Sequence, residues 1–533
     1  MTEHHQYVFI GSGVAGITVA KRLLENDPGT SILMLDAGPE VKAKGRRYWW
    51  DYLIFNRKPY DYTYDIDGEN TTEGDIDWGY VGSRAMVYGG STVHWGAWCM
   101  RYKPEDFNLY SNTEEGADWP INYEDLSPGA DQGNGATDYY FEAEQYLSVC
   151  GNPEESWNLS IRGGKPYPRP TFEWTAADGV MIEAFDRCGI EPGKLPIARY
   201  RKCMTTGTCK YCPFGSRFSA QYILDDLLAE PRYANFEQRC NSPVVKIVAG
   251  DGKRIDAIQY LDTRTGETRS VTADTFIVCS GTYESSKLMM ASTSSQWPDG
   301  IGNSHDLLGR HIVSHSFLRV KGSTPKNPGH WLQEYDFPTL MSRTYDSPEY
   351  QKDGKIFMFK NRVLPNIDIP ALMMQGKSRE EIDRILGGPM ELELQAFYEE
   401  KGRFENRLTA RPGTNRFGLP LTKIEYHRDP RFEDRARSRL ALMNKVFEEM
   451  GYEIEYSRWD DPGGHHATST CRMGETPEDG VTDKDMKVFD TDNLYVCSNA
   501  AFPNCTAVNP TLTLTAMSMR LGDHLIRAGG NGA

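Results

Sequence analysis

The chain has 533 residues, 39% of them hydrophobic and 11% aromatic, with a net charge of −16 and a pI near 5.3. That length exceeds one ordinary core and predicts two interlocked domains of a globular protein. The acidic balance excludes a nucleic-acid footprint, and no apolar run approaches the roughly 18 residues expected of a membrane helix.

The opening residues, MTEHHQYVFIGSG, carry no Lys or Arg and run straight into an apolar strand. They do not read as a signal peptide, which predicts a cytoplasmic chain unless a partner carries it across a membrane. Eleven cysteines in so long a chain do not form the pattern of a secreted disulfide framework.

Tyr7 to Ile10 reads as a short buried strand, followed by Gly11-Ser-Gly13-Val-Ala-Gly16, the helical pattern ITVAKRLLEN and a second strand in SILMLDAG that ends in Asp36. Strand, GxGxxG, helix, strand and an acid about 20 residues on is the dinucleotide fingerprint in its full context. Gly11 permits the tight turn, Gly13 lets a pyrophosphate approach the backbone, and Gly16 lets helix and strand pack closely. The helix N-terminus then faces the phosphates, and Asp36 can accept hydrogen bonds from a ribose diol. The unit alone does not separate FAD from NAD.

Residues 42–77 are aromatic and polar with little periodicity, which predicts an excursion or lid. The glycine-rich stretch from Gly82 to Gly96 contains Gly89-Gly90-Ser-Thr-Val-His94-Trp95 and lets backbone lie close to a flat ring or phosphate. Residues 105–200, rich in Asp, Glu, Gly and Pro, suit a peripheral substrate domain. Then comes Cys203-x5-Cys209-x2-Cys212-Pro, soft-ligand spacing that suits an iron–sulfur cluster or zinc. A four-ligand site needs a distant fourth group, a cluster can have three protein ligands, and three packed or free thiols are the plain alternative.

PVVKIVAG, DAIQYLD and TFIVCSG read as strands of a meander returning to the central sheet. ELELQAFYEE and ENRLTAR read as strands of the second domain, and DRARSRLALMNKVFEEMGY as an amphipathic helix whose apolar stripe is core. The last stretch runs from GGHHATSTCRMG to NPTLTLTAMSM, with a short strand over residues 493–498 between them. It brings His466 and Asn509 to one place. Histidine has a near-neutral pKa and can take an alcohol proton; asparagine does not titrate and can hold the oxygen. His465 is expected to point elsewhere.

The fingerprint, GGSTVHWG and HATSTCRMG…NPTLT together resemble the glucose–methanol–choline (GMC) flavoprotein oxidoreductases, with pyranose oxidases and the large subunits of bacterial sugar dehydrogenases as the nearest flavour. The likeness extends over TFIVCSGTYESSKLMMAS and ENRLTA…FGLPLTKIEY. It implies an α/β fold in which a Rossmann-like FAD domain (1–41, 78–104, 201–319 and 464–533, with the Cys-rich loop 203–217) interlocks with an α+β substrate domain built on an antiparallel sheet (42–77, 105–200 and 320–463).

FAD is the implied cofactor, with its adenosine end at Gly11 to Gly16, Asp36 and Val244. Asp36 stands where the family usually has Glu. Further implied contacts are Arg84, Gly90, Ser91 and Trp95 in the first half of the chain, and Gly281, Asn499, Pro510 and Thr511 in the second. His94 matches the position that pyranose oxidases bond covalently to the flavin, and a histidine packed beside Trp95 is the alternative. Ser469 departs from the glycine usual in the family's loop after the catalytic histidine.

The implied reaction is oxidation of a secondary alcohol of a pyranose or glycoside, C3 and a 3-keto product being the particular case. Electrons would leave through an iron–sulfur centre to a cytochrome c. A small subunit carrying the export signal would place the enzyme in the periplasm. An oxygen-using pyranose or C-glycoside oxidase, a non-redox flavin lyase and a binding protein on the same fold are the competing expectations.

Overall fold

The structure, a computed structural model, describes residues 3–41, 44–55, 57–58, 60, 68–79, 83–129, 136–206, 208–323, 335, 337–361, 369–389 and 391–530. Gly82 and most of the aromatic run YDYTYDIDG (61–67) lie outside the described residues.

The predicted fingerprint strands form the centre of a seven-stranded sheet. Strand β1 (Glu3–Ile10) pairs in parallel with β2 (Ile32–Leu35) on one side and with the strand Glu267–Val278 on the other. Helix α1 (Val14–Asn26) crosses between β1 and β2, and its apolar face, including Ile17, Val19, Ala20 and Leu24, is fully buried. Phe236–Arg239 extends the parallel side beyond β2. The meander Val244–Ala249, Ile255–Asp262 and Glu267–Val278 returns as predicted, by antiparallel pairing.

The strand Glu267–Val278 is shared at its outer edge. Its first half pairs with Ile255–Asp262, and its last three residues pair in parallel with Leu494–Val496. That short strand is the one expected at 493–498, and it delivers the C-terminal loops to the carboxyl end of the sheet. In open α/β sheets this is where ligands bind.

The second domain is a six-stranded antiparallel sheet in the order Glu453–Asp460, Ser316–Ser323, Glu391–Tyr398, Ile356–Lys360, Leu340–Ser342 and Gly193–Lys194. The predicted amphipathic helix, Phe432–Met450, buries Ala436, Leu440, Met443 and Phe447 at spacings of three and four, and packs with the helix Ala176–Cys188 in one core beneath that sheet. ENRLTAR does form a strand, Arg407–Thr414, but in a separate three-stranded sheet with Pro420–Tyr426 and Asn70–Gly74.

Residues 105–200 are divided between the two cores. Tyr139–Leu147 packs on the C-terminal helix Thr511–Gly530, and Phe107, Trp119 and Tyr140 share a core with Phe9 and Ile17. Composition rich in Gly, Pro and acids disguised those aromatic anchors. A buried ion network bridges the halves: Lys355 Nζ pairs with Asp106 and lies 3.3 Å from Asp346, which is also held by Arg343. Among the described residues no helix is long and apolar enough to cross a membrane.

Candidate functional site

A cavity of about 690 Å³ reaches from the glycine fingerprint to the two C-terminal loops. At its nucleotide end, Gly11 adopts φ +108, and a Cβ there would lie 2.7 Å from the Cys279 carbonyl oxygen, so only glycine makes the turn. A Cβ on Gly13 would meet nothing within 4 Å, although Gly13 lines the cavity at the N-terminus of α1. Its bareness therefore leaves room for a ligand, not for the chain. Gly16 does not line the cavity. A Cβ there would fall 3.3 Å from the Cys279 sulfur, in keeping with its predicted packing role.

Asp36 lines the same end. Its carboxylate accepts from Ser12 Oγ at 2.5 Å and from the Gly38 N–H at 2.9 Å. Burial pushes its pKa up, and those hydrogen bonds oppose the shift. Val244 also lines the cavity.

Further along, Gly90 has φ +61, and a Cβ on it would touch the Gly13 Cα at 2.9 Å. Two bare backbones thus meet at the wall. Ser91 on the 3-10 turn Gly90–Val93, and His94 and Trp95 just after it, line the cavity, Trp95 Nε1 donating to the Phe218 carbonyl at 2.8 Å. Burial first, then Arg217, His465 and Lys58, holds His94 neutral by lowering its pKa to about 3. Arg84 lines the cavity and pairs with Glu284 at 2.8 Å, where Lys287 also binds at 3.0 Å. Burial alone would raise the Glu284 pKa, but the two cations bring it to about 2. One carboxylate between two cations leaves a net positive charge beside the path of an anionic cofactor. Gly281, Asn499 and Thr511 line the wall; Pro510 is buried and does not.

At the far end Asn509 Nδ2 donates to His466 Nε2 at 3.0 Å. Burial, then the neighbouring His315 and His465, pushes the His466 pKa well below its ordinary value. The imidazole is therefore neutral and able to accept a proton. Ser83 Oγ, Asn499 Oδ1 and Asn509 Oδ1 are buried without a partner among the described residues, and all three residues line the cavity. Buried polar groups left open in this way are free to bond a polar ligand or water in the cavity. The glycine cradle, the acidic residue at the ribose end and these open groups fit FAD.

Behind the pair, His315 and Phe397 of the antiparallel sheet close on the His466 ring, with centroids 4.8 and 5.4 Å away. His315 Nε2 lies 3.4 Å from Cys505 Sγ. No motif marked either residue, because each reaches the site only through the sheet's tertiary docking. His465, expected to point elsewhere, also lines the cavity; the short 3-10 turn Gly464–His466 presents both rings. Ser469 has φ +79 and is fully buried, so a serine bears the left-handed backbone where the resemblance expects glycine.

Cys203, Cys209 and Cys212 lie outside this cavity and together line a small separate pocket. The N–H groups of Thr205 and Ser216 donate to Cys203 and Cys212 at 3.4 and 3.3 Å, and Arg199 Nη2 lies 3.9 Å from Cys209. Burial works to raise the Cys212 pKa, but backbone N–H groups of Ser216, Arg217 and Phe214 outweigh it and bring it below the usual thiol value. Their sulfurs do not form one of the sets within 4.8 Å that could hold a single ion; among the described residues only Glu3, His5 and Glu237 do. Glu3 there is already bonded to Arg239.

The chain is similar to the fructose dehydrogenase large subunit of Gluconobacter japonicus, 26% identical with 97% of each chain covered. It is 25% identical to 6'''-hydroxyparomomycin C oxidase of Streptomyces lividus, over 96% of this chain and 89% of that one. Among solved structures, pyridoxine 4-oxidase from Mesorbium loti superposes with a TM-score of 0.65 at 19% identity, over 98% of this chain and 99% of the other. Two family models, each described as GMC oxidoreductase, match residues 6–316 and 403–518, and the chain belongs to that family.

Proposed function

We propose that the protein is an FAD-dependent dehydrogenase that oxidises a secondary alcohol of a pyranose or glycoside. The observation that carries this reading is the His466–Asn509 pair, 3.0 Å apart at the end of a cavity that begins at a dinucleotide cradle. A substrate hydroxyl seated against both atoms from the cavity, in place of their mutual hydrogen bond, meets a neutral nitrogen and an amide donor together. His466 Nε2 takes the hydroxyl proton as the C–H bond breaks, and Asn509 Nδ2 holds the oxygen while it becomes a carbonyl. FAD bound in the cavity supplies the hydride acceptor. Gly13, Gly90 and Asp36 hold its nucleotide half, and Arg84 offsets its negative charge.

The sugar assignment is supported by the two relatives named as a fructose dehydrogenase subunit and a hydroxyparomomycin oxidase. C3 oxidation to a 3-keto product is the particular form we favour. The electron route rests on Cys203, Cys209 and Cys212. Thiols that share a pocket, two of them accepting backbone hydrogen bonds, at soft-ligand spacing, suit a polynuclear iron–sulfur centre. In this reading a small subunit exports the enzyme to the periplasm and a cytochrome c accepts the electrons. An oxygen-using oxidase is the second reading, favoured by the similar hydroxyparomomycin oxidase.

The test is iron and acid-labile sulfide per flavin in anaerobically purified protein, with a panel of pyranoses and glycosides added. Bleaching of the flavin by a sugar, together with iron and sulfide, supports the dehydrogenase. Bleaching without either moves the reading to the oxidase. Flavin that no sugar bleaches overturns both. Substituting His466→Ala should slow flavin reduction by about 10²–10⁴-fold without loss of flavin.

A further inference from the structure

Six of the fourteen exposed large hydrophobic side chains among the described residues lie on two short segments that touch. Trp50, Leu53, Ile54 and Phe55 belong to helix α2 (Arg46–Phe55), and Met204 and Phe214 to the cysteine loop. The segments are joined by a hydrogen bond from Trp49 Nε1 to Thr208 Oγ1 at 3.0 Å and by the edge contact of Tyr48 on Tyr211. Tyr48, Trp49 and Tyr52 pack inward on the core. Positions 50, 53 and 54 form one outward stripe.

Charge is concentrated in the same place. Lys44, Arg47, Arg57, Arg201, Lys202 and Lys210 are all exposed. The acids in residues 44–58 and 201–217 amount to Asp51 alone, in a chain whose net charge is −16. An apolar centre with a basic rim on an otherwise acidic protein is a local inversion of the field, and it steers a negatively charged partner. The inner side of these segments matters too, since Lys58, Tyr60 and Lys210 line the FAD cavity.

We propose that α2 and the cysteine loop form one docking face for an electron-accepting protein whose own contact face carries carboxylates around an apolar centre. The face is argued from the side chains above; the partner's redox character rests on the dehydrogenase reading. Aromatic and Met residues at the centre with Arg at the rim match the make-up of protein interfaces. The apolar residues are split between a helix and a loop of thiols and threonines, unlike the continuous apolar face of a helix lying in a bilayer.

The experiment uses the flavin-loaded protein with two small c-type cytochromes of similar size, one acidic and one basic, at about 0.01 M ionic strength, where screening is weak. The acidic cytochrome should bind at least about tenfold more tightly, and added salt should abolish the preference. The triple variant Arg47→Glu, Arg57→Glu, Lys202→Glu and the pair Leu53→Ser, Ile54→Ser should each remove that binding, with sugar-driven reduction of a small dye unchanged. Equal binding of both cytochromes, or binding that the variants leave intact, overturns the docking face. Sedimentation of the protein with phosphatidylglycerol vesicles, lost in the Leu53/Ile54 variant while neither cytochrome binds, overturns it in favour of a lipid surface. Acidic cytochrome that binds at this face but is never reduced by sugar-reduced enzyme upholds the face and overturns the dehydrogenase reading.

Discussion

His315 meets His466 edge to face, the ring planes at 86° and the centroids 4.8 Å apart. The two rings come from different halves of the molecule. His315 enters the antiparallel strand Ser316–Ser323, and His466 hangs from the loops at the end of the parallel sheet. The His466 ring is thus held by a wall at the edge of the antiparallel sheet.

That wall should be separable from the chemistry by shape. His315→Phe keeps a ring against His466 and gives up only the contact with Cys505; His315→Ala opens a hole into which His466 can swing. We expect His315→Ala to lower kcat by about 10²-fold, the scale of a 1 Å misplacement, with KM little changed, and His315→Phe to retain most of the activity. Steady-state kinetics of the two variants decides it. Equal loss in both would point to the imidazole nitrogens instead.

The His466 pKa is lowered, so its protonated form appears only well below pH 6.5. The acid limb of kcat/KM should accordingly lie below the ordinary histidine range, with a level profile through neutrality. Stability should follow the same logic for His315, whose pKa burial lowers to about 3. Between 6.5 and 3 the unfolded chain binds a proton there that the folded chain does not, so stability is present above 6.5 and falls as pH falls. Each such histidine steepens the loss by about 1.4 kcal/mol per pH unit. Denaturant titrations between pH 4 and 7 should give His315→Phe a shallower slope than the native protein; identical slopes would contradict a neutral buried His315.

Gly11 and Gly13 should part company on substitution. Gly11→Ala places a methyl 2.7 Å from a carbonyl oxygen at φ +108, and should destabilise the fold itself. Gly13→Ala meets no protein atom, so the apoprotein should melt at the native temperature. It should bind FAD at least about tenfold more weakly, which is about 1.4 kcal/mol. Flavin titration beside apoprotein melting measures both; a Gly13→Ala protein that binds FAD normally would remove the pyrophosphate from that position.

Lys355 is fully buried between Asp106 and Asp346, where burial would lower its pKa and the acids raise it above the ordinary value. Lys355→Ala leaves the Asp106 carboxylate buried without its cation, while Arg343 still holds Asp346, and should cost about 3–5 kcal/mol. Chemical unfolding provides the measure. Because no part of the network lines the cavity, flavin content of the folded fraction should be unchanged.

What could be read from the sequence was what short spacing encodes. Gly11, Gly13, Gly16 and Asp36 lie within one strand–helix–strand unit, so their separations alone determine their geometry, and all four stand where that geometry places them. His466 and Asn509 were legible as two loops flanking one strand. His315 and Phe397 were not, since one merely leads into a strand and the other is an ordinary strand residue until the two sheets dock. The same blindness affected His465, whose orientation depends on a three-residue turn, and residues 105–200, where isolated aromatics in a polar context anchor a shared core.

The outer edge of the strand Glu267–Val278 has a consequence for how the protein is made. On that edge, opposite their pairing with β1, its last three residues are covered by Leu494–Val496. A nascent chain emerging from the ribosome can assemble β1, α1 and β2 early, but Phe276, Ile277 and Val278 remain an unpaired, wholly apolar edge until more than 200 further residues have been added. At about 5–20 residues per second that interval lasts some ten seconds or more. During it the growing polypeptide exposes the kind of strand margin that recruits other chains. Leu494–Val496, which lies between the loops that carry His466 and Asn509, therefore closes that margin, and translation stalled before it would leave an apolar sheet edge open and His466 without its Asn509 partner.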